Sequence, residues 1–453
     1  MQPKVKFYGG VGSVTGANFY VEFDGLKFLV DCGLFQGGRD AEKMNEIDFP
    51  YDPSVMQYLF ITHSHMDHIG RIPKLVRDGF NGRIVSTPET REISMIMLED
   101  AYRVMLNREK MGISHPFYEE KDIRKAMSLW ECVDYHTPFK FGNDVSLYMF
   151  DAGHILGSAM FQFSLGQTKI MFTGDLGNSP SPLLSDTEIV KDCDYLVMES
   201  VYGDKNHESK EDRREKFKNV LKETIAKGGD IIIPAFSIER TQVILFELNN
   251  MIESGELKSV PVYLDSPLAI KVTDIYRRYS KRFNEEVKLQ MHSGDNIFNF
   301  PKLNIVMRSF ESRKVDKAPS PKIIIAGSGM SEGGRVRGHE TVALPDSRNT
   351  ILLMGYQPVG TLGRELLDGA ESVDIDGETV DVKARIEIVR GYSSHKDSDN
   401  LIKFVEDTSI NKKLKKVFVC MGEPSSALFL AQRLHDYLGV DAIYPEAGKE
   451  YLL

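Results

Sequence analysis

Short apolar runs recur along this chain, and most stop on a polar or charged residue close to glycine. Phe28-Leu29-Val30 stops at Asp31-Cys32-Gly33, and Leu59-Phe60-Ile61 at Thr62-His63-Ser64-His65-Met66-Asp67-His68-Ile69-Gly70. Leu147-Tyr148-Met149-Phe150 leads to Asp151-Ala152-Gly153-His154, Ile170-Met171-Phe172 to Thr173-Gly174-Asp175, and Leu196-Val197-Met198 to Glu199-Ser200. Apolar runs of this length, bounded by turn residues, predict buried strands. Five such strand ends carrying Asp, His or Glu point to one functional rim, because binding groups collect in the loops of a layered fold. Before them, Lys4–Tyr8, Asn18–Phe23 and Lys27–Asp31 read as hairpin strands punctuated by Gly9-Gly10-Val11-Gly12 and Asp24-Gly25. Ile72–Asp78 reads as a short helix, and the stretch from Glu89 to about Arg124 as strongly helical.

Beyond Tyr202-Gly203-Asp204 the pattern changes. A charged amphipathic helix over Glu208–Lys227 precedes alternating strand and helix units, with strands at Asp230–Pro234, Val260–Leu264, Pro321–Ile325 and Thr350–Met354. That alternation predicts a parallel sheet in an α/β domain of its own. From Glu371 to Arg390 the chain reads as hairpin strands. Then come Gly391-Tyr392-Ser393-Ser394-His395, a helix, the strand Lys416–Cys420 and a helix over Ser425–Leu438. The expected organisation is one domain interrupted by another: residues 1–202 and 371–453 around an insert at 203–370.

Bulk properties narrow this picture. At 453 residues the chain exceeds one ordinary core. Its 42% hydrophobic and 27% charged content is that of a soluble globular protein. Four cysteines without paired spacing argue against a disulfide framework and a cysteine zinc site, and fit a cytoplasmic location. No apolar run has membrane-spanning length, so no membrane partner is expected. The net charge of -10 argues against a broadly basic nucleic-acid surface. A local basic cleft and bound metal ions can still dominate the field at one site.

The chemistry concentrates at 63–68. Alternate residues of an extended chain point the same way, so His63 and His65 can reach one point together. Asp67 and His68 follow in the turn and can face a second point, the layout of a binuclear metal centre. Imidazole with carboxylate suits zinc, manganese or iron, with zinc the default. Asp31 either caps a turn or orients a ligand histidine.

These residues resemble the metallo-β-lactamase fold, whose signature His63-Ser64-His65-Met66-Asp67-His68 matches. The phrases Val14-Thr15-Gly16, Asp31-Cys32-Gly33-Leu34-Phe35-Gln36-Gly37 and Ala152-Gly153-His154-Ile155-Leu156-Gly157-Ser158-Ala159 resemble the β-CASP branch. So do Pro234-Ala235-Phe236, Asp265-Ser266-Pro267, Gly355-Tyr356-Gln357, Gly360-Thr361-Leu362-Gly363 and Ser393-Ser394-His395. That branch includes the nuclease subunit of the cleavage and polyadenylation specificity factor and its compact bacterial and archaeal relatives. The resemblance implies an α/β chain: a metallo-β-lactamase αββα sandwich with an inserted α/β β-CASP domain and the active site between them. It implies two zinc ions, the first held by His63, His65 and His154, the second by Asp67 and His68, with Asp175 bridging. Glu199 and His395 match the β-CASP acidic and histidine motifs. In one departure, RNA-processing members place a second-zinc histidine before Gly-Glu, where this chain has Cys420-Met421-Gly422-Glu423. A thioether is a poor zinc ligand, and strand alternation turns Cys420 away from the direction of Met421. Occupancy of the second site is therefore left open.

The implied function is zinc-dependent hydrolysis of RNA phosphodiester bonds in RNA processing or decay, internally or also from the 5′ end. Asp67, Glu199 and His395 are assigned to the chemistry, with His395 giving a proton to the leaving oxygen and Glu199 favouring its charged form. Ser328, Gly329 and Met330, with Arg240 and Arg335, are expected to hold phosphates in the interdomain cleft. RNA is the expected partner, and the resemblance also allows a homodimer. Two alternatives stand beside it: an RNA-binding or assembly subunit weakened in catalysis by Met421, and a small-molecule metallo-hydrolase.

Overall fold

The computed structural model describes residues 2–37, 40–411 and 413–453. It divides into two compact units, Met1–Asn206 with His395–Leu453, and His207–Ser394. The boundary expected at residue 370 therefore falls inside the second unit. The reason lies in the strand Arg385–Ile388, which pairs in parallel with Thr350–Leu353 and so extends that unit's sheet. Only Ser372–Ile375 and Glu378–Asp381 form the hairpin that the sequence suggests for the whole of 371–390.

The first unit holds two seven-stranded sheets. Phe7, Phe19, Phe28 and Phe60 of one sheet meet Phe161, Phe163, Phe172 and Phe418 of the other in the layer between them. Helices cover both outer faces. Leu75, Leu98 and Ile123 pack with Leu29, Leu59 and Ile61 on the first sheet, and Leu401, Phe404, Leu430 and Leu434 with Met171, Leu196 and Val419 on the second. This is an αββα sandwich, and it explains the uninterrupted apolar runs: strands buried on both faces have no polar side to alternate.

In the first sheet Leu26–Val30, Tyr58–Phe60 and Arg83–Ser86 run in parallel, with Val30 opposite Phe60 and Phe60 opposite Val85. In the second, Thr168–Phe172, Tyr195–Glu199 and Lys416–Cys420 run in parallel, with Glu199 opposite Cys420. Parallel register brings the C-terminal ends of neighbouring strands side by side. Asp31 stands beside the 61–68 segment in this way, and Asp175 beside Glu199.

The helical stretch expected from Glu89 to about Arg124 comprises two helices, Pro88–Lys110 and Glu120–Ser128. Gly112 at φ +72° turns the chain, and Pro116 cannot continue a helix.

The second unit carries a six-stranded parallel sheet: Leu303–Ile305, Val262–Asp265, Ile323–Ala326, Ile231–Pro234, Thr350–Leu353 and Arg385–Ile388, in that spatial order. The chain leaves Ile231–Pro234 toward one edge and later leaves Ile323–Ala326 toward the other. The two central strands thus end at a topological switch point, where open α/β sheets form crevices. Among the described residues, no helix is long and apolar enough to cross a membrane.

Candidate metal centre

The strand Tyr58–Phe60 ends in Ile61 and Thr62, and the chain stays extended through His65 before the short helix Met66–Ile69 begins. Extension aims His63 and His65 at one point, while the helical turn lifts Asp67 and His68 to another. His154 arrives after the strand Val145–Asp151 and Asp175 after Thr168–Phe172.

Four donor atoms converge in the first cage. His63 Nε2 lies 3.2 Å from His65 Nδ1, which lies 3.2 Å from His154 Nε2. Asp175 Oδ2 is 3.3 Å from His63 Nε2 and 3.5 Å from His154 Nε2. Ligands held at about 2.0–2.1 Å from a tetrahedral zinc stand about 3.3–3.4 Å apart. The cage therefore fits a tetrahedral ion. Burial pushes the pKa values of His63, His65 and His154 down, which keeps these rings neutral with lone pairs to give.

The second position is less complete. His68 Nε2 is 3.4 Å from Asp175 Oδ1 and 3.9 Å from Asp67 Oδ2. The two oxygens of Asp175 thus face different histidines, the disposition of a bridging carboxylate. Burial acts to lower the His68 pKa, but the nearby Asp175 and Asp31 carboxylates outweigh it and hold it well above the usual value. Asp175 is correspondingly held well below, with the His68 and His63 rings overcoming its burial. Asp31 sits behind His68, its Oδ2 accepting from His68 Nδ1 at 2.8 Å.

Met421 adds nothing to this position. Its side chain lies in the apolar layer between the sheets, 1% exposed, and so does that of Cys420. Its N–H donates to Gly10 O at 2.6 Å, and it sits at φ +52°, an unusual conformation for a bulky residue. Among the described residues, the second position therefore draws on three side chains, Asp67, His68 and Asp175.

His395 reaches the cage from the far end of the chain. Its Nδ1 is 3.2 and 3.3 Å from the two oxygens of Glu199 and 3.9 Å from Asp175 Oδ2. Glu199 Oε1 also accepts from the N–H of Leu176 at 2.5 Å. Burial opposes the charge on His395, but Glu199 outweighs it and raises the pKa to about 9. Lys396, absent from the sequence reading, fixes this approach. Its N–H donates to Leu176 O at 2.9 Å, and its Nζ to Gly177 O at 2.7 Å and Ser179 Oγ at 3.1 Å. Its place directly after His395 in Ser393-Ser394-His395-Lys396 was the only available signal.

The residues expected at phosphates lie in the second unit. The Arg335 guanidinium donates to Asp265 Oδ1 at 2.5 Å and to the carbonyls of Val306 and Met307 at 3.1 and 2.8 Å, and its side chain is 21% exposed. Ser328 uses its N–H on Gly333 O at 3.0 Å, and its hydroxyl accepts from Glu332 N–H at 3.1 Å. Gly329 packs on Phe236 so closely that a Cβ would lie 2.7 Å from the ring, and Met330 accepts from Gly363 N–H at 3.3 Å. Arg240 packs against the backbone of Gly355.

Comparison with known proteins matches the chain to three family models: the metallo-beta-lactamase superfamily over 14–235, the Beta-Casp domain over 241–366 and the Zn-dependent metallo-hydrolase RNA specificity domain over 379–445. A ribonuclease of Thermus thermophilus is 34% identical over 94% of this chain and 95% of its own length. An RNase J-like protein of Methanocaldococcus jannaschii is 31% identical over 98% of both. A crystal structure of a protein of unknown function from Enterococcus faecalis shares the fold over the full length of both chains, with TM-score 0.57 and 14% identity.

Proposed function

Since the chain belongs to the β-CASP branch of the metallo-β-lactamase superfamily, we propose that it hydrolyses RNA phosphodiester bonds with zinc as its cofactor, as an endonuclease and also from the 5′ end. The observation that carries this reading is the four-donor cage at tetrahedral spacing, set beside a histidine held charged by a buried carboxylate.

His63, His65, His154 and Asp175 would hold one ion, and Asp67, His68 and Asp175 the other. When bound, the ions supply Lewis-acid stabilisation of phosphoryl charge and a water acidic enough to attack at neutral pH. The side chains do the rest. Asp67, whose side chain is 21% exposed, would take the proton of the attacking water. His395 directs Nδ1–H at Glu199, and its Nε2–H would protonate the departing oxygen. Glu199 is wholly buried and held by the Leu176 N–H, so it keeps the ring's orientation as well as its charge.

The RNA-binding or assembly reading retains one supporting observation: Met421, where a zinc-ligand histidine is expected, lies in the apolar core. Labelled RNA incubated with the zinc-loaded protein and with His65→Ala tests both. Cleavage by the first alone supports the nuclease. Intact RNA in both samples, with RNA retained on the protein, supports the binding subunit instead. We place the activity in the cytoplasm and propose a homodimer, which fractionation and light scattering would check.

A further inference from the structure

The two metal positions share one hydroxyl. Thr62 is 1% exposed and lies between the histidines that serve the two sites. Its hydroxyl donates to Asp31 Oδ2 at 2.8 Å, and its N–H to Asp31 Oδ1 at 2.8 Å. A hydroxyl has a single proton, so toward any further partner it can only accept. The further contacts are His63 Nδ1, 3.1 Å from Thr62 Oγ1, and the more distant His68 Nδ1 at 3.4 Å. His63 must therefore carry its proton on Nδ1, which leaves Nε2 as the lone-pair atom in the first cage. The same Asp31 Oδ2 accepts from His68 Nδ1, which fixes Nε2 as the donor at the second position. One carboxylate and one hydroxyl thus set the tautomer and orientation of one ligand in each site.

The surroundings are built around this contact. Asp31 sits at φ +60°, outside the usual backbone region, and is held there by Asp31 N–H to Phe60 O at 2.8 Å and Asn18 Nδ2 to Asp31 O at 2.8 Å. A non-glycine residue over-determined in that conformation marks a place where side-chain aim matters. Gly174, next to the bridging Asp175, sits at φ +53° and presses on Thr62: a Cβ there would lie 2.7 Å from the Thr62 Cβ. The threonine is thereby clamped from the strand end that delivers the bridging carboxylate.

We propose that Thr62 is a positioning residue that couples the two metal positions, relaying the aim of Asp31 to His63 as Asp31 itself aims His68. This rests on the metal centre of the reading above, but its test reads metal binding and needs no RNA cleavage. Partners that orient metal ligands typically contribute 10–100-fold in affinity. Zinc affinities of the full chain would be measured by competition with a chromophoric chelator for wild type, Thr62→Val and Thr62→Ser. Valine keeps the shape and the backbone N–H but removes the hydroxyl. Thr62→Val is expected to lose about 10–100-fold at the tighter site and a smaller factor at the weaker one, with Thr62→Ser close to wild type. Nitrogen-15 spectra of histidine-labelled wild-type protein give a second readout independent of any variant, with His63 protonated on Nδ1. The idea is overturned if His63 carries its proton on Nε2, if Thr62→Val binds zinc as wild type does, or if serine fails to restore what valine loses. A protein that binds zinc as expected yet leaves RNA intact would overturn the nuclease reading and leave this one standing.

Discussion

Each unit of this protein buries a cluster of histidine and carboxylate, and the two clusters are opposite in kind. In the first unit, three imidazole nitrogens and one carboxylate oxygen face a common point with neighbouring donors 3.2–3.5 Å apart, and burial keeps the rings neutral. In the second, His339 lies between two carboxylates: Nε2 is 2.8 Å from Asp265 Oδ2 and Nδ1 is 2.5 Å from Asp316 Oδ1. Arg335 completes that group on Asp265 Oδ1. Here each close contact has a proton to bridge it. Burial opposes the charge on His339, but hydrogen bonds to Asp265 and Asp316 outweigh it and raise its pKa to about 9. The first cluster has more lone pairs than protons and needs a cation. The second is balanced and needs nothing. Proton count around the donors separates a metal centre from an ion network, whereas burial and residue type do not.

Stripping the metal is the strongest way to break this comparison. Chelation, or His154→Ala, is expected to lower RNA hydrolysis by on the order of 10³-fold, read from initial rates before and after zinc is restored. An unchanged rate would remove the cage from the chemistry. Next is His395→Gln, expected to lower the rate by about 10²-fold while zinc per chain stays constant, since the ring acts on a proton and is not needed to hold the ions. Loss of zinc in that variant would merge His395 into the cage.

The second cluster predicts an effect on stability. A histidine whose folded pKa is raised contributes stability in full below its unfolded value near 6.5, and loses it as pH rises through about 9. The contribution of this buried ring is on the order of 3 kcal/mol. Denaturant midpoints of wild type should therefore fall between pH 6.5 and 9, and His339→Gln should flatten that step while leaving zinc content untouched. A variant that loses zinc would contradict the balanced network. The smallest effect is expected from Met421→His, which should tighten the second equivalent of zinc in a chelator titration. An unchanged second equivalent would show that Met421 does not account for the incomplete position.

The cage illustrates how far local pattern reaches. His63 and His65 are two residues apart on an extended segment, so alternation alone aims them together. Asp31, His154, Asp175 and Glu199 each close an apolar strand, and the sequence marks them as rim residues for the same reason. The second unit was less legible. Gly327-Ser328-Gly329 looks like a phosphate loop by composition; the fold adds that the N–H of Ser328 donates to Gly333 O and the Arg335 guanidinium to Asp265, contacts that composition does not foretell. His339 carries no signal at all, since a lone histidine in an amphipathic helix reads as ordinary surface.

What the sequence determined by itself is most of the strands and the identity of the groups at their ends, because these depend on apolar runs and turns a few residues long; the double-sheet architecture was implied by the family resemblance. Only the tertiary structure decided which atoms face one another. The choice of Nδ1 in His65 against Nε2 in His63, the relay through Thr62, the stapling of His395 by Lys396 and the burial of Met421 all depend on parallel strand pairings and loop contacts. These join residues as far apart as Glu199 and Cys420. Hydrogen bonds across such distances fix side-chain aim, and no local pattern encodes them.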